Sequence, residues 1–486
     1  MTIRAWVPIA ASACLLASCG APDAPASGEA RVTDADRAYG AEQHPQLLAE
    51  FGGAYAGDEA RYMADVGEKV AEAAGLARQC TFTLVNTNVV NAFAVPGCYI
   101  YITRGLLAVM GSEAELASVL GHEVGHVVAR HSQRQQRRSL WRRLGVIAVS
   151  LTGSERLTGL AGRAAQYFTL RYSRTQEYDA DDLGVRYLQR AGYDVHAAGD
   201  MLAALGRQEA FMSATSGRDA ARSIPEWALS HPLTERRIER ARATAAATGL
   251  ADDAQPEKAD AYLTAVDGLL YGDDPEQGFV LGRRFAHPVM GIAFEAPEGF
   301  SLTNSSRAIG LSGPGGVAGE FGGAAMPPGG LRAYAEALAS HVVGQAAAQV
   351  DRAAETVING VPAVIIKLRL PVRDDTIPLA IAAYAAGEGG AYHFIIASPP
   401  ADASGAAVDA LFRSFHRLSP AEAATLRARV IRTVRVEAND TKDALIRRMA
   451  DAAPAALFTL LNDGSAGRAL APGERVKLVT YAGPRR

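Results

Sequence analysis

A chain of 486 residues is too long for a single hydrophobic core, so two to four domains are expected. Lys+Arg 49 against Asp+Glu 52 gives a net charge of −3, which lacks the basic excess of a nucleic-acid binder, and no nucleic-acid partner is expected. Hydrophobic residues make up 49% of the chain, which excludes bulk disorder.

The chain opens on a targeting signal. Arg4 gives a short positive start, Ala5 to Ala17 is an apolar stretch interrupted by Pro8, and the end reads Leu16-Ala17-Ser18-Cys19-Gly20. This resembles a bacterial lipoprotein signal, in which the cysteine is lipidated and becomes the first mature residue. A plain secretory signal with a small-residue cleavage site is the alternative. On the lipoprotein reading residues 1–19 are the signal, Cys19 carries the lipid, and Gly20 is not the aspartate associated with inner-membrane retention. The implied address is the periplasm of a Gram-negative bacterium, with lipid anchoring to the outer membrane. Residues 20–45, rich in Ala, Pro, Ser, Asp and Glu, read as a tether. Of the four cysteines, Cys14 leaves with the signal, so Cys80 and Cys98 remain beside Cys19. They flank the strand-like runs Thr81–Val85 and Tyr99–Ile102. An oxidising compartment allows a Cys80–Cys98 disulfide, and two separate buried thiols are the alternative.

Residues 58–74 read as a helix stopped by Gly75. A stronger helical signal follows. Ser112 and Glu115 have capping-box spacing, and Leu116, Val119, Leu120, Val124 and Val127 recur at helical intervals. This helix carries His122-Glu123-Val124-Gly125-His126, an HExxH sequence. Residues four apart project from one face, so the two imidazoles can bind one zinc ion while Glu123 reaches a water on it. Two surface histidines on an ordinary helix are the competing reading. Between residues 134 and 165, basic residues mix with the apolar run Leu144–Leu151, far too short to span a bilayer. It reads as a core helix or as a lid over a cleft.

Ser173 and Gln176 form a second capping box, opening a helix that ends at Ala191-Gly192. On it Glu177 and Asp181 are also four apart and share a face. Glu177 is the candidate third zinc ligand, leaving a fourth position open, and Asp181 can accept the free N–H of a zinc histidine. Alone, the cluster Glu177, Asp179, Asp181 and Asp182 would read as a solvated acidic face. The HExxH upstream favours the ligand reading. Farther on, Pro232 suits the first turn of a helix and places His231 at or near its N-cap. His131 reads as a cap or a supporting contact rather than a ligand.

These motifs belong to a longer pattern. Asn91 to Gly97, Tyr99 to Leu107, Gly121 to Ser132, Tyr172 to Gly184 and Ser230 to Ile238 resemble, in the same order, HtpX-like and CAAX-prenyl-protease-like zinc metallopeptidases. The nearest branch is the periplasmic, BepA-like one, and the resemblance spans roughly residues 45–245. It departs at Cys98, where the family pattern has a second glycine. It implies a mainly helical zincin (gluzincin) domain over residues 46–246 with a small edge sheet, and one Zn2+ per chain on His122, His126 and Glu177. It further implies that Asn91, Ala92 and Phe93 lie on an edge strand to which an extended polypeptide adds. His231 would approach the metal, as an oxyanion donor or as a latent ligand, with Arg237 as its partner position.

Residues 247–278 read as a connector with a short helix around Tyr262 to Leu270. Residues 279–418 alternate strand-like runs with one helix from Leu331 to about Val350, an α+β pattern resembling small domains related to PsbP and Mog. Its histidines His287, His341, His393 and His416 show no ligand spacing, and a binding or packing role is expected. Residues 419–486 resemble a degenerate LysM module, a βααβ unit whose family binds N-acetylglucosamine polymers such as peptidoglycan; the family's glycine before Asp-Thr is Asn439 here. The whole is expected to be α+β. The expected function is a zinc metalloendopeptidase of the cell envelope acting on unfolded or misassembled envelope proteins. A chaperone-like outer-membrane assembly factor with a latent zinc site, and a cell-wall-binding lipoprotein, are the alternatives.

Overall fold

The computed structural model describes residues 32–132, 172–215, 227, 231–305, 308–344, 348–372, 375–387, 389–399, 405–462 and 469–483. The expected signal with Cys19 and the run Leu144–Leu151 lie outside the described residues. Among the described residues, no helix is long and apolar enough to cross a membrane.

Helix α1 (Asp34–Glu50) begins where Thr33 Oγ1 accepts the Asp36 N–H at 3.2 Å. Leu47 and Phe51 at its end pack with Val85, Val95 and Tyr101. The tether expected to run to residue 45 therefore gives way to a helix at Asp34, because a capping threonine and apolar anchors outweigh the polar composition. Helix α2 (Asp58–Ala73) buries Met63, Val66 and Val70. Strands β1 (Thr81–Val85), β2 (Ala92–Val95) and β3 (Tyr99–Thr103) form a sheet in the order β1-β3-β2, so β2 is an edge. The β2–β3 turn places Gly97 (φ 96°) and Cys98 (φ 59°) in the left-handed region. Cys98 occupies the position where the family pattern has glycine and is bonded to Cys80 in a disulfide with the Cα atoms 4.6 Å apart.

After α3 (Arg104–Val109), helix α4 (Glu113–Val128) starts with Ser112 Oγ accepting the Glu115 N–H at 3.1 Å. Only half of the expected capping box forms, because the Glu115 carboxylate accepts from Gly111 N–H instead, at 2.6 Å. Helix α5 (Arg174–Ala191) has the full reciprocal box between Ser173 and Gln176 and ends on Gly192 at φ 76°. Helices α6 (Ala197–Thr215) and α7 (Glu235–Ala247) follow. The N-cap of α7 is Thr234, whose side chain accepts the Arg237 N–H, and not His231. Pro232 therefore lies in the approach to the helix, and His231 is free of its first turn.

Helices α4 and α5 meet along small residues. A Cβ on Gly125 would lie 3.1 Å from the Ala180 carbonyl oxygen, and one on Gly121 would lie 3.3 Å from the Gly184 Cα. This close backbone approach lets side chains from both helices reach one point. Helix α8 (Ala259–Ala265) is shorter than expected, since Gly268 turns the chain at φ 97° into β4 (Leu270–Tyr271).

The next domain carries β5 (Phe279–Leu281), β6 (Arg284–His287), β7 (Ile292–Glu295), β8 (Ser301–Asn304), β9 (Ile309–Ser312) and β10 (Ala318–Ala325). Helix α9 (Gly330–Val343) stops at Gly344, φ 61°, rather than near Val350, because Gln349 already enters the next strand. Then come β11 (Gln349–Ile358), β12 (Val361–Val372), β13 (Asp375–Ala385), β14 (Gly390–Ala397), α10 (Gly405–Ser414) and β15 (His416–Arg417). A seven-stranded antiparallel sheet, β11-β12-β13-β14-β10-β9-β8, is covered on one face by Tyr334, Ala335 and Val342 of α9. Its other face packs against Ile292 and Phe294 of a four-stranded sheet, β15-β7-β6-β5, and against Leu411 and Phe412 of α10.

The last segment runs α11 (Pro420–Thr425), β16 (Arg429–Arg435), α12 (Lys442–Ile446), α13 (Pro454–Leu461) and β17 (Arg475–Tyr481). β16 pairs with β17 on one side and with β4 on the other. Ile431, Leu457 and Leu478 share one core cluster with Leu116 and Leu202 of the N-terminal domain. Lys477, 1% exposed, donates through Nζ to the carbonyl oxygens of Ala108 (2.8 Å), Met110 (2.5 Å) and Val109 (3.3 Å) at the end of α3. The class is α+β, as expected.

Candidate metal centre

Four side chains from α4, α5 and the segment before α7 converge. His122 Nε2 and His126 Nε2 are 3.0 Å apart. Glu177 places Oε1 3.5 Å from His126 Nε2 and Oε2 3.6 Å from His122 Nε2. Ligand atoms bound tetrahedrally at roughly 2.0–2.1 Å stand about 3.3 Å from one another, so this spacing fits a zinc ion. His231 Nδ1 joins them, 3.2 Å from His122 Nε2 and 3.1 Å from Glu177 Oε1. Among the described residues these four form one group whose ligand atoms all lie within 4.8 Å.

The chemistry of the donors fits as well. Burial drives the His126 pKa well below the ordinary imidazole value, which keeps a lone pair available. Burial opposes ionisation of Glu177, but His231, His126 and Arg237 outweigh it and hold its carboxyl well below the usual range. Glu123, 2% exposed, has its pKa raised by burial against the pull of His231 and His122. Its Oε2 is a buried acceptor with no hydrogen-bond partner among the described residues. Such an atom beside converging ligands is what a general base awaiting a water requires.

Residues 58–245 match the profile of Peptidase family M48. That segment is an M48 peptidase domain. The beta-barrel assembly-enhancing protease of Yersinia pestis is 33% identical over 193 residues, 37% of this chain and 38% of that protein. Mitochondrial metalloendopeptidase OMA1 of Arabidopsis thaliana is 36% identical over 124 residues, 26% of this chain and 25% of that protein. The chain thus spans 38% and 25% of the length of these two curated relatives. The solution structure of cyanobacterial PsbP (CyanoP) from Synechocystis is 14% identical, covering 30% of this chain and 98% of that one, at a TM-score of 0.24, too low to establish a shared fold.

Around the candidate centre a set of charged groups holds the candidate ligands. Asp181 Oδ1 is 2.9 Å from His122 Nδ1, which selects the tautomer that turns Nε2 inward. Burial opposes ionisation of Asp181, yet Arg237 and His122 bring its pKa down to about 2. Arg237 also reaches Glu177 Oε2 at 2.7 Å and donates to the His231 carbonyl at 3.3 Å. His131 Nδ1 lies 2.9 Å from His126 Nδ1, on the side away from Nε2.

The edge strand stands where the motif pattern implied, with its residues in different settings. Ala92 lines a pocket with His122 and Glu123. Asn91 precedes the strand, and its Oδ1 accepts the Ala92 N–H at 2.9 Å. Phe93 turns away from the pocket and stacks on Tyr101 with ring centroids 4.7 Å apart. Asp181, His231 and Arg237 line it on the polar side, and its apolar wall is made by Val119, Met201, Leu202, Leu205 and Trp227. Sequence reasoning missed this wall, and it missed Tyr172, whose ring stacks on His126 at 3.9 Å. Tyr172 stands at the head of the motif that carries Glu177, two residues before the helix, where no periodicity signals a partner.

Proposed function

We propose that the M48 domain is the catalytic unit of a zinc metalloendopeptidase of the Gram-negative envelope, hydrolysing peptide bonds of misfolded or misassembled envelope proteins. The observation that carries this reading is the convergence of His122, His126 and Glu177 at tetrahedral spacing beside the partnerless oxygen of Glu123. Zinc bound there supplies Lewis acidity toward water and the scissile carbonyl.

The chain's own residues do the rest. Glu123 takes a proton from the attacking water and passes it to the leaving amine, a role its raised pKa suits. Arg237 and Asp181 hold Glu177 and His122 in place. An extended polypeptide adds along the free edge of β2, with Ala92 nearest the site, and an apolar side chain beside the scissile bond enters the pocket. Cys19 carries the lipid that keeps the chain at the outer membrane. The βααβ order of residues 429–481 supports a LysM-like reading with peptidoglycan as its ligand.

A second reading is favoured by His231. Its Nδ1 stands among the three candidate ligand atoms, where it would take the fourth position on a bound ion. A site closed in this way is latent, and the chain would then serve as an outer-membrane assembly factor. The full chain in detergent, loaded with zinc and mixed with an unfolded outer-membrane protein, separates the two readings. Fragments that vanish on adding a zinc chelator support the peptidase. Complete survival of the substrate overturns it and leaves the assembly role.

A further inference from the structure

Away from the M48 centre, the turn between α5 and α6 and the loop between α7 and α8 bring a second set of donors together. Asp194, His196 and Asp252 each offer a ligand atom, and these atoms lie within 4.8 Å of one another. Asp194 is 1% exposed, and its Oδ1 accepts the His196 N–H at 3.0 Å. Its Oδ2 is buried and has no hydrogen-bond partner among the described residues. A carboxylate oxygen withdrawn from water is strongly disfavoured unless a positive charge or a donor meets it.

His196 is prepared for the same ligand. Its Nε2 is 3.2 Å from the Leu250 carbonyl oxygen, which can only accept, so Nε2 holds the proton and Nδ1 keeps a free lone pair. Negative charge gathers around the three. After burial, Asp194, Asp200, Asp253 and Asp252 all push the nearby Glu257 carboxyl up.

We propose that Asp194, His196 and Asp252 hold a second divalent cation, separate from the M48 centre. Two carboxylates and one imidazole suit a borderline ion of the zinc class, whereas calcium takes about six to eight oxygens. Its role is structural. The ion ties the loop after α7 to the end of α5, and that loop continues into Glu257 and Lys258. The Glu257 carbonyl accepts the Ala114 N–H at 3.0 Å, and Lys258 Nζ meets Glu113 Oε1 at 2.9 Å. The cation therefore braces the first turn of the helix that carries HExxH.

The test is zinc content per chain, by elemental analysis after dialysis of the full chain in detergent. His122→Ala removes a ligand of the M48 centre and isolates the second site. In that background one zinc per chain is expected, and adding Asp252→Asn should weaken its binding about tenfold or more. Asp252 is exposed, so the substitution should leave the far-UV circular dichroism unchanged. In the otherwise unaltered chain, Asp252→Asn should take two zinc ions to one, and Asp194→Asn should do the same. A His122→Ala chain with no zinc, or one whose zinc is indifferent to Asp252→Asn, overturns the proposal. An unaltered chain that carries a single zinc ion, kept on His122→Ala and lost on Asp252→Asn, would instead count against the peptidase reading, so the two failures are distinguishable.

Discussion

Arg237 and Asp181 are joined by two contacts, Nε to Oδ2 at 2.9 Å and Nη2 to Oδ1 at 2.8 Å, across 56 positions of sequence. The same Asp181 carboxylate orients His122, and the same guanidinium meets Glu177. One ion pair thus aligns two of the three candidate ligands. Asp181→Asn keeps the shape and removes the charge. We expect zinc affinity to fall about 10–100-fold with the fold intact. Competition with a chromophoric chelator measures it, and an unchanged affinity would free Asp181 of this role.

Glu123→Gln separates proton transfer from metal binding. The glutamine is isosteric but cannot accept the proton of an attacking water. Zinc content should match the unaltered chain while turnover falls about 10²–10⁴-fold or further. His122→Ala should instead lose zinc from the M48 centre. Undiminished cleavage by Glu123→Gln would remove this residue from the mechanism.

Glu113 gives a pH dependence of known sign. Burial works against its ionisation, but donors from Tyr62 (2.5 Å), Tyr193 (2.7 Å) and Lys258 (2.9 Å) bring its pKa down to about 2 from the ordinary 4.5. A carboxyl depressed in the folded state binds fewer protons there than in the unfolded chain. Its stabilisation is therefore complete above pH 4.5 and is lost as pH falls toward 2. The melting temperature of Glu113→Gln should lie below that of the unaltered chain by a constant gap from pH 5 to 8. That gap should close on acidification, and one that persists at pH 2 would refute the assignment.

Lys477 joins the last strand to the N-terminal domain. Without its ammonium, the carbonyl oxygens at Ala108, Val109 and Met110 lose their shared donor and buried Glu115 loses a nearby cation. Lys477→Ala should cost about 3–5 kcal/mol in urea unfolding of the M48 domain. If residues 429–481 were a free-standing module, the substitution would leave that transition where it was.

The amino-acid sequence by itself determined the two helices and what each presents. Caps at Ser112 and Ser173 and the four-residue spacings of His122 with His126 and of Glu177 with Asp181 are local features, and helical geometry translates them directly into faces. It also placed Cys80 and Cys98 beside two strand-like runs, leaving open the disulfide that the pairing of β1 with β3 makes possible. What only the tertiary structure decided lies between distant segments. Gly121 and Gly125 against Ala180 and Gly184 read as unremarkable small residues until they are seen to set how closely α4 approaches α5. Local spacing read His231 as a cap and only the family resemblance drew it toward a metal; in the structure Thr234 is the cap and His231 Nδ1 lies 3.1 Å from Glu177 Oε1. Tyr172 on His126, Trp227 in the pocket wall and Lys477 beneath α3 carry no local signature. Periodicity and capping act over one or two turns of chain, whereas these contacts depend on which surfaces pack, and packing is a property of the assembled core.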